Sequence, residues 1–125
     1  MHKILAPLAL LLASVTPAHA QVEGATEADA ILKDFTFATG EKLPELKLHY
    51  TTLGTPQRDK AGNVTNAVMI LHGTGGTGKQ FFQPQFASEL FGPGQPLDTS
   101  KYYVILPDNI GHGGSSKPSD GLRMK

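Results

Sequence analysis

The chain has 125 residues, room for one domain at most. Its 11 basic and 11 acidic residues cancel, so no basic stripe points to nucleic acid and no acidic block to a disordered tail. The absence of cysteine excludes disulfides, thiolate catalysis and cysteine-based zinc sites; the five histidines lack metal-ligand spacing with a nearby carboxylate, so neither a metal nor a cofactor is expected.

Lys3 supplies a short basic start, Ile4 to Val15 is almost wholly apolar, Thr16 and Pro17 break the run, and Ala18-His19-Ala20 fits an A-x-A cleavage pattern. This predicts a cleavable signal peptide over 1–20, a mature start at Gln21, and a secreted or periplasmic protein. The apolar run is too short to span a bilayer, so no membrane association is expected after cleavage. Residues 21–34 are polar and alanine-rich and read as a leader, either a short helix or loose chain. Phe35 and Phe37 then alternate with Thr36 and Ala38, and Leu46, Leu48 and Tyr50 alternate with Lys47, His49 and Thr51. Two half-buried antiparallel strands are expected there, with His49 on the solvated side. Gln57–Thr65 is polar loop.

Ala67–Leu71 is a continuous apolar run, which predicts a strand buried on both faces as in a parallel sheet. It breaks into His72 and four glycines, Gly73, Gly75, Gly76 and Gly78. Pro84 suits a first helical position, and Phe86 and Leu90 would share that helix's buried face. Tyr102–Leu106 is a second apolar strand. The stretch between the two strands is long enough for the crossover helix that parallel strands need, and right-handed crossovers are the rule. A second glycine loop, Asn109–Lys117, follows Pro107 and Asp108. Both loops therefore leave the carboxyl ends of parallel strands, where α/β folds bind ligands.

Two chemistries compete for the first loop. Gly73, Gly78 and Lys79 fit a phosphate loop, but Gln80 stands where a magnesium-holding serine or threonine belongs. The favoured reading is an oxyanion loop: acyl transfer puts negative charge on a former carbonyl oxygen, and N–H groups of a glycine-rich turn can be aimed at it. The N–H of Gly73 or Thr74 is the candidate donor, with His72, Gly75 and Gly76 as support. Asp108, His112 and Ser115 could be drawn as a local triad, yet nothing in the spacing fixes a serine–histidine hydrogen bond. The favoured role for Asp108 is to accept backbone N–H bonds, with Ser115 capping a turn. His72 is expected to hold nearby backbone, Lys79 to be solvated, and Phe81, Phe82 and Phe86 to be core.

Leu71-His72-Gly73-Thr74-Gly75-Gly76 and the D-x-x-G-x-G-x-S pattern of Asp108, Gly111, Gly113 and Ser115 together resemble the loops after the third and fourth strands of the α/β-hydrolases. Gly40–Leu46, Tyr50–Gly54 and Gly92–Tyr102 resemble, more narrowly, the homoserine O-acetyltransferase-like branch. Two features lie nearer to general hydrolases: the glycine richness after His72, and Gly113–Lys117 where the transferases have a G-S-T-G-P-type turn. The resemblance, from about Phe35 to Ser119, implies an α/β fold: an antiparallel strand pair, then parallel strands with a crossover helix, the Tyr102 strand lying between the Leu46 and Ala67 strands. It also implies a serine in a G-x-S-x-G elbow, which this chain lacks. Residues 35–125 are accordingly read as the N-terminal portion of a longer secreted enzyme acting on a small-molecule, ester-like substrate. A homoserine O-acetyltransferase-like acyltransferase and a non-catalytic anion-binding module remain as alternatives. Gln21–Lys125 expressed alone, with an unpaired sheet edge, is expected to be marginally stable or to aggregate.

Overall fold

The computed structural model of the protein describes residues 24–121, and the expected signal peptide lies outside them. Thr26–Thr36 forms strand β1 and Lys42–Leu53 strand β2. They make an antiparallel hairpin in which Leu32 stands opposite Leu46, and the Phe37 N–H closes the turn on the Glu41 carbonyl at 2.8 Å. Ala67–Met69 is β3 and Tyr103–Pro107 is β4. β4 runs antiparallel to β2 and parallel to β3, giving one sheet in the order β1-β2-β4-β3. An antiparallel pair followed by a parallel pair, with the last strand inserted between, is the order that the family resemblance implies.

The crossover from β3 to β4 contains a 3₁₀ turn, Gly78–Phe82, and helix α1, Pro84–Leu90. Pro84 sits at the start of α1, where its missing N–H has no partner to lose. Residues paired across strands share a face, so Leu53 with Val104 and Thr51 with Leu106 line one side of the sheet. The crossover covers that side. Leu53, Val104, Leu106 and Phe91 form the buried cluster, flanked by Ile70, Phe81, Phe82, Ala87, Leu90 and Leu97. Val104 and Leu106 are fully buried, worth about 1.5–3 kcal/mol each.

After α1 the chain is held by Asp98, which is only 4% exposed. Its carboxylate accepts the Ser100 hydroxyl at 2.6 Å, the Gly94 N–H at 2.8 Å and the Ser100 N–H at 2.9 Å. These bonds, the Ser100 hydroxyl first, hold its pKa at about 2. The loop rests on Gly54, whose φ is +76° and where a Cβ would run into the Tyr102 carbonyl.

Three expectations are corrected. Residues 26–34 of the expected leader belong to β1. Its acidic and alanine residues have weak strand preference, and pairing along β2 from Thr52 to Lys42 overrides it. β3 is not buried on both faces. It is the last strand of the sheet among the described residues, and Met69 and Leu71 are each 61% exposed. On α1, Leu90 meets the core as expected, but Phe86 is 38% exposed and Ala87 packs on the core in its place.

Candidate active site

Because β3 and β4 are parallel, the chain leaves both at the same edge, and the two glycine loops meet there. His72 ties them together. Its ring is buried, with Nδ1 2.8 Å from the Gly73 carbonyl and Nε2 3.0 Å from the Asn109 N–H. An amide N–H can only donate, so Nε2 is the acceptor and the ring proton sits on Nδ1, donating to Gly73. The Asn109 side chain adds a bond to the His72 carbonyl at 3.4 Å.

Beyond His72 the backbone turns sharply. The Gly76 N–H donates to the Gly73 carbonyl at 3.0 Å, and Gly75, third in the turn, has φ +78°. A left-handed residue at that place is what a type II turn demands. Gly73 and Thr74 are exposed, and a Cβ on Gly73 would meet only open space. Their N–H groups donate to no protein acceptor among the described residues. The chain then reaches Gly78, buried so closely on β4 that a Cβ would stand 2.5 Å from the Leu106 carbonyl oxygen.

Asp108 organises the second loop. Buried at 6% exposure, its carboxylate accepts the Gly78 N–H at 2.8 Å through Oδ1 and the Gly114 N–H at 2.7 Å through Oδ2. The Ser115 hydroxyl donates to the Asp108 carbonyl at 2.6 Å and accepts the His49 N–H at 2.9 Å. The Ser116 hydroxyl accepts the Lys47 N–H at 2.9 Å, and the Ser116 N–H donates to the Lys47 carbonyl at 2.9 Å. Gly111, at φ +91°, donates to the Ser116 carbonyl, and a Cβ on Gly113 would overlap the Asp108 carboxylate.

Asp108, His112 and Ser115 do not form a relay. The Ser115 proton is committed to backbone. His112 turns away, with Nδ1 3.4 Å from the Ile110 carbonyl and its ring edge-on to His72 at a centroid distance of 5.2 Å.

The phosphate-loop geometry is occupied by the protein itself. The Gly78 N–H, which would face a phosphate, is taken by Asp108, and Lys79 pairs with Glu27 of β1 at 2.6 Å. That lysine hydrogen bond is the main reason the Glu27 carboxyl titrates below its usual range. Lys79 is thus paired, and His49 is not solvated as expected. The imidazole lies 2.7 Å from Asp29 through Nδ1 and 3.4 Å from Glu27 through Nε2, flat against Gly114, where a Cβ would be 2.7 Å from its Cγ. Strand alternation placed His49 on a face; it carried no information about the loop that covers that face. Asn109 was missed for a similar reason, since its role depends on where His72 ends up.

No family model matches the chain. It is 36% identical to a homoserine O-acetyltransferase from Natronomonas pharaonis over 96 residues, 72% of this chain and 24% of that enzyme. Among solved structures, an acetylester hydrolase from Corynebacterium glutamicum superposes with a TM-score of 0.60 at 30% identity, over 74% of this chain and 24% of that one. The fold is that of the α/β-hydrolases. Within them, the chain resembles the homoserine O-acetyltransferase-like branch. A homoserine O-acetyltransferase from Bacillus anthracis also superposes, with a TM-score of 0.55 at 27% identity over 71% of this chain and 24% of that one. This α/β-hydrolase segment spans about a quarter of the length of the relatives it matches.

Proposed function

We propose that the chain is the N-terminal part of an exported α/β-hydrolase that cleaves ester-like bonds by acyl transfer, and that its own contribution is electrostatic. What supports this most is the exposed turn Gly73–Gly76. Two backbone N–H groups, of Gly73 and Thr74, have no protein acceptor among the described residues, on a turn pinned from behind by His72 and Asp108. A developing oxyanion needs such rigid, unused donors, and removing one typically costs about 10²–10³-fold in kcat. The nucleophile and its base come from the part of the enzyme beyond this chain. An acyltransferase is the second reading, favoured by the relatives named for homoserine acetyl transfer.

The export signal expected over residues 1–20 supports hydrolysis, because acetyl-CoA is not supplied outside the cytoplasm. Export is checked by the mass of the protein recovered from the periplasm or medium, expected to begin at Gln21; a chain retaining Met1 there would remove this support. The chemistry is tested in the complete enzyme by comparing hydrolysis of a short aryl ester with acetyl transfer from acetyl-CoA to homoserine. Efficient transfer without ester hydrolysis would sink the hydrolase reading. Because the donor is backbone, Thr74→Ala should be nearly silent, whereas Thr74→Pro, which deletes the N–H, should lower kcat by about 10²–10³-fold with an unchanged circular dichroism spectrum. A fully active, folded Thr74→Pro enzyme would exclude Thr74 as the donor.

A further inference from the structure

Two adjacent peptide units carry the unused donors, and they are held unequally. A peptide is a rigid plane, and in its trans form the C=O and N–H point to opposite sides. The Gly73–Thr74 peptide is trans, so whatever holds the Gly73 oxygen also aims the Thr74 N–H. That oxygen takes two donors, His72 Nδ1 at 2.8 Å and the Gly76 N–H at 3.0 Å. The His72 oxygen, which shares a plane with the Gly73 N–H, is held among the described residues by the Asn109 side chain alone, at 3.4 Å. Both glycine loops contribute to the stronger hold. The Asn109 N–H occupies His72 Nε2 at 3.0 Å, which keeps the ring proton on Nδ1, and Nδ1 in turn grips the Gly73 oxygen. Hydrogen bonds in a chain polarise one another, so the same run of bonds strengthens the Thr74 N–H as a donor. That N–H points away from the buried ring, on a residue that is exposed.

Resting on the ester-hydrolase reading, we infer that Thr74, not Gly73, supplies the oxyanion donor, and that His72 is a positioning residue that aims it through the Gly73–Thr74 peptide. His72 itself reaches no reacting atom, since both ring nitrogens are spent on backbone. Its effect falls on the transition state, where the negative charge develops, and not on the binding of the ester.

The test is a double-mutant cycle in the complete enzyme, read with a short aryl ester. Proline is favoured at the second place of a type II turn, which Thr74 occupies, so Thr74→Pro deletes the N–H and keeps the turn. His72→Leu removes the ring's bond to the Gly73 oxygen and should lower kcat about tenfold, the size of one hydrogen bond, with KM unchanged. In the Thr74→Pro background the same change should cost almost nothing further, because the group that His72 aims is already gone. His72→Asn, whose amide nitrogen takes the place of Nδ1, should recover part of the loss. If His72→Leu fails to fold, His72→Gln, which keeps an acceptor for the Asn109 N–H but no donor at the Nδ1 position, runs the same cycle. A full tenfold loss in both backgrounds, a raised KM in place of a lowered kcat, or wild-type kcat in the folded His72 variant overturns this inference alone. So does wild-type kcat in folded Thr74→Pro. Failure of the wild type to hydrolyse the ester overturns the hydrolase reading and this inference with it.

Discussion

Two glycine loops leave the same edge of the sheet, and they are built in opposite ways. In Asp108–Ser116 nearly every polar group is turned inward: Asp108, Ser115 and Ser116 are buried and spend their hydrogen bonds on backbone. In Gly73–Gly76 the backbone faces outward and two N–H groups are left unspent. The same residue type serves both. Glycine in the second loop makes room for a carboxylate and an imidazole, and in the first, at Gly73 and Gly75, it borders open space. A glycine-rich motif is therefore not a functional signal until the destination of its N–H groups is known. The contrast also assigns labour: the second loop is the frame against which the first can hold its donors still.

The sharpest way to break this division is Asp108→Ala. It removes the acceptor shared by both loops and leaves two N–H groups without a partner. At about 1.5–3 kcal/mol for each bond to a charged acceptor, the loss should be about 3–6 kcal/mol, measured by urea denaturation of the complete enzyme. Ser115→Ala, within the frame but not bridging the loops, should cost less, about 1–3 kcal/mol, because the part-buried His49 N–H loses its acceptor. If the two variants were equally damaging, the idea that Asp108 joins the loops would fail.

Much of this frame was legible in the sequence. The apolar runs and the glycine punctuation pointed to the strands and the crossover, the family resemblance supplied the strand order, and Gln80, standing where a phosphate loop needs serine or threonine, argued against that loop. What stayed hidden was relational. β1 begins at Thr26 because a partner strand lies beside it, although Glu27, Ala28 and Asp29 have no strand preference of their own. The apolar run at Ala67–Leu71 told what the segment is able to bury and nothing of what is there to cover it, so Met69 and Leu71 stand exposed. The open donors of Gly73 and Thr74 were foreseeable as a type of site, while the His72 ring between the Gly73 carbonyl and the Asn109 N–H depends on a side-chain conformation that no pattern encodes.

The smallest effect sharpens the comparison from outside. Asp98 does for the loop of residues 92–102 what Asp108 does for the glycine loops, gathering N–H and hydroxyl donors on one carboxylate, but it does not touch the site. Its folded-state pKa of about 2 lies below the ordinary value of 3.8. The stability it contributes is therefore fully present above that ordinary value, declines as acid is added, and is gone once pH falls below about 2. Asp98→Asn should flatten the acid-unfolding curve between pH 4 and 2, followed by circular dichroism, and should leave ester turnover at neutral pH unaltered. A curve identical to the wild type would show that Asp98 is not linked to acid unfolding.

The serine pair has a mechanical consequence. Ser115 and Ser116 use their hydroxyls to occupy N–H positions two residues apart on β2, at His49 and Lys47. Sliding β2 by a single residue along the loop would present the opposite edge of its backbone and disengage both hydroxyls at once. Sliding in the other sense offers no replacement, since Gly114 and Lys117, the residues on either side, carry no hydroxyl. The two serines thus act as a ratchet tooth with a single notch. They set the loop's address along the strand, and through Asp108 that address is passed on to the turn that carries Thr74.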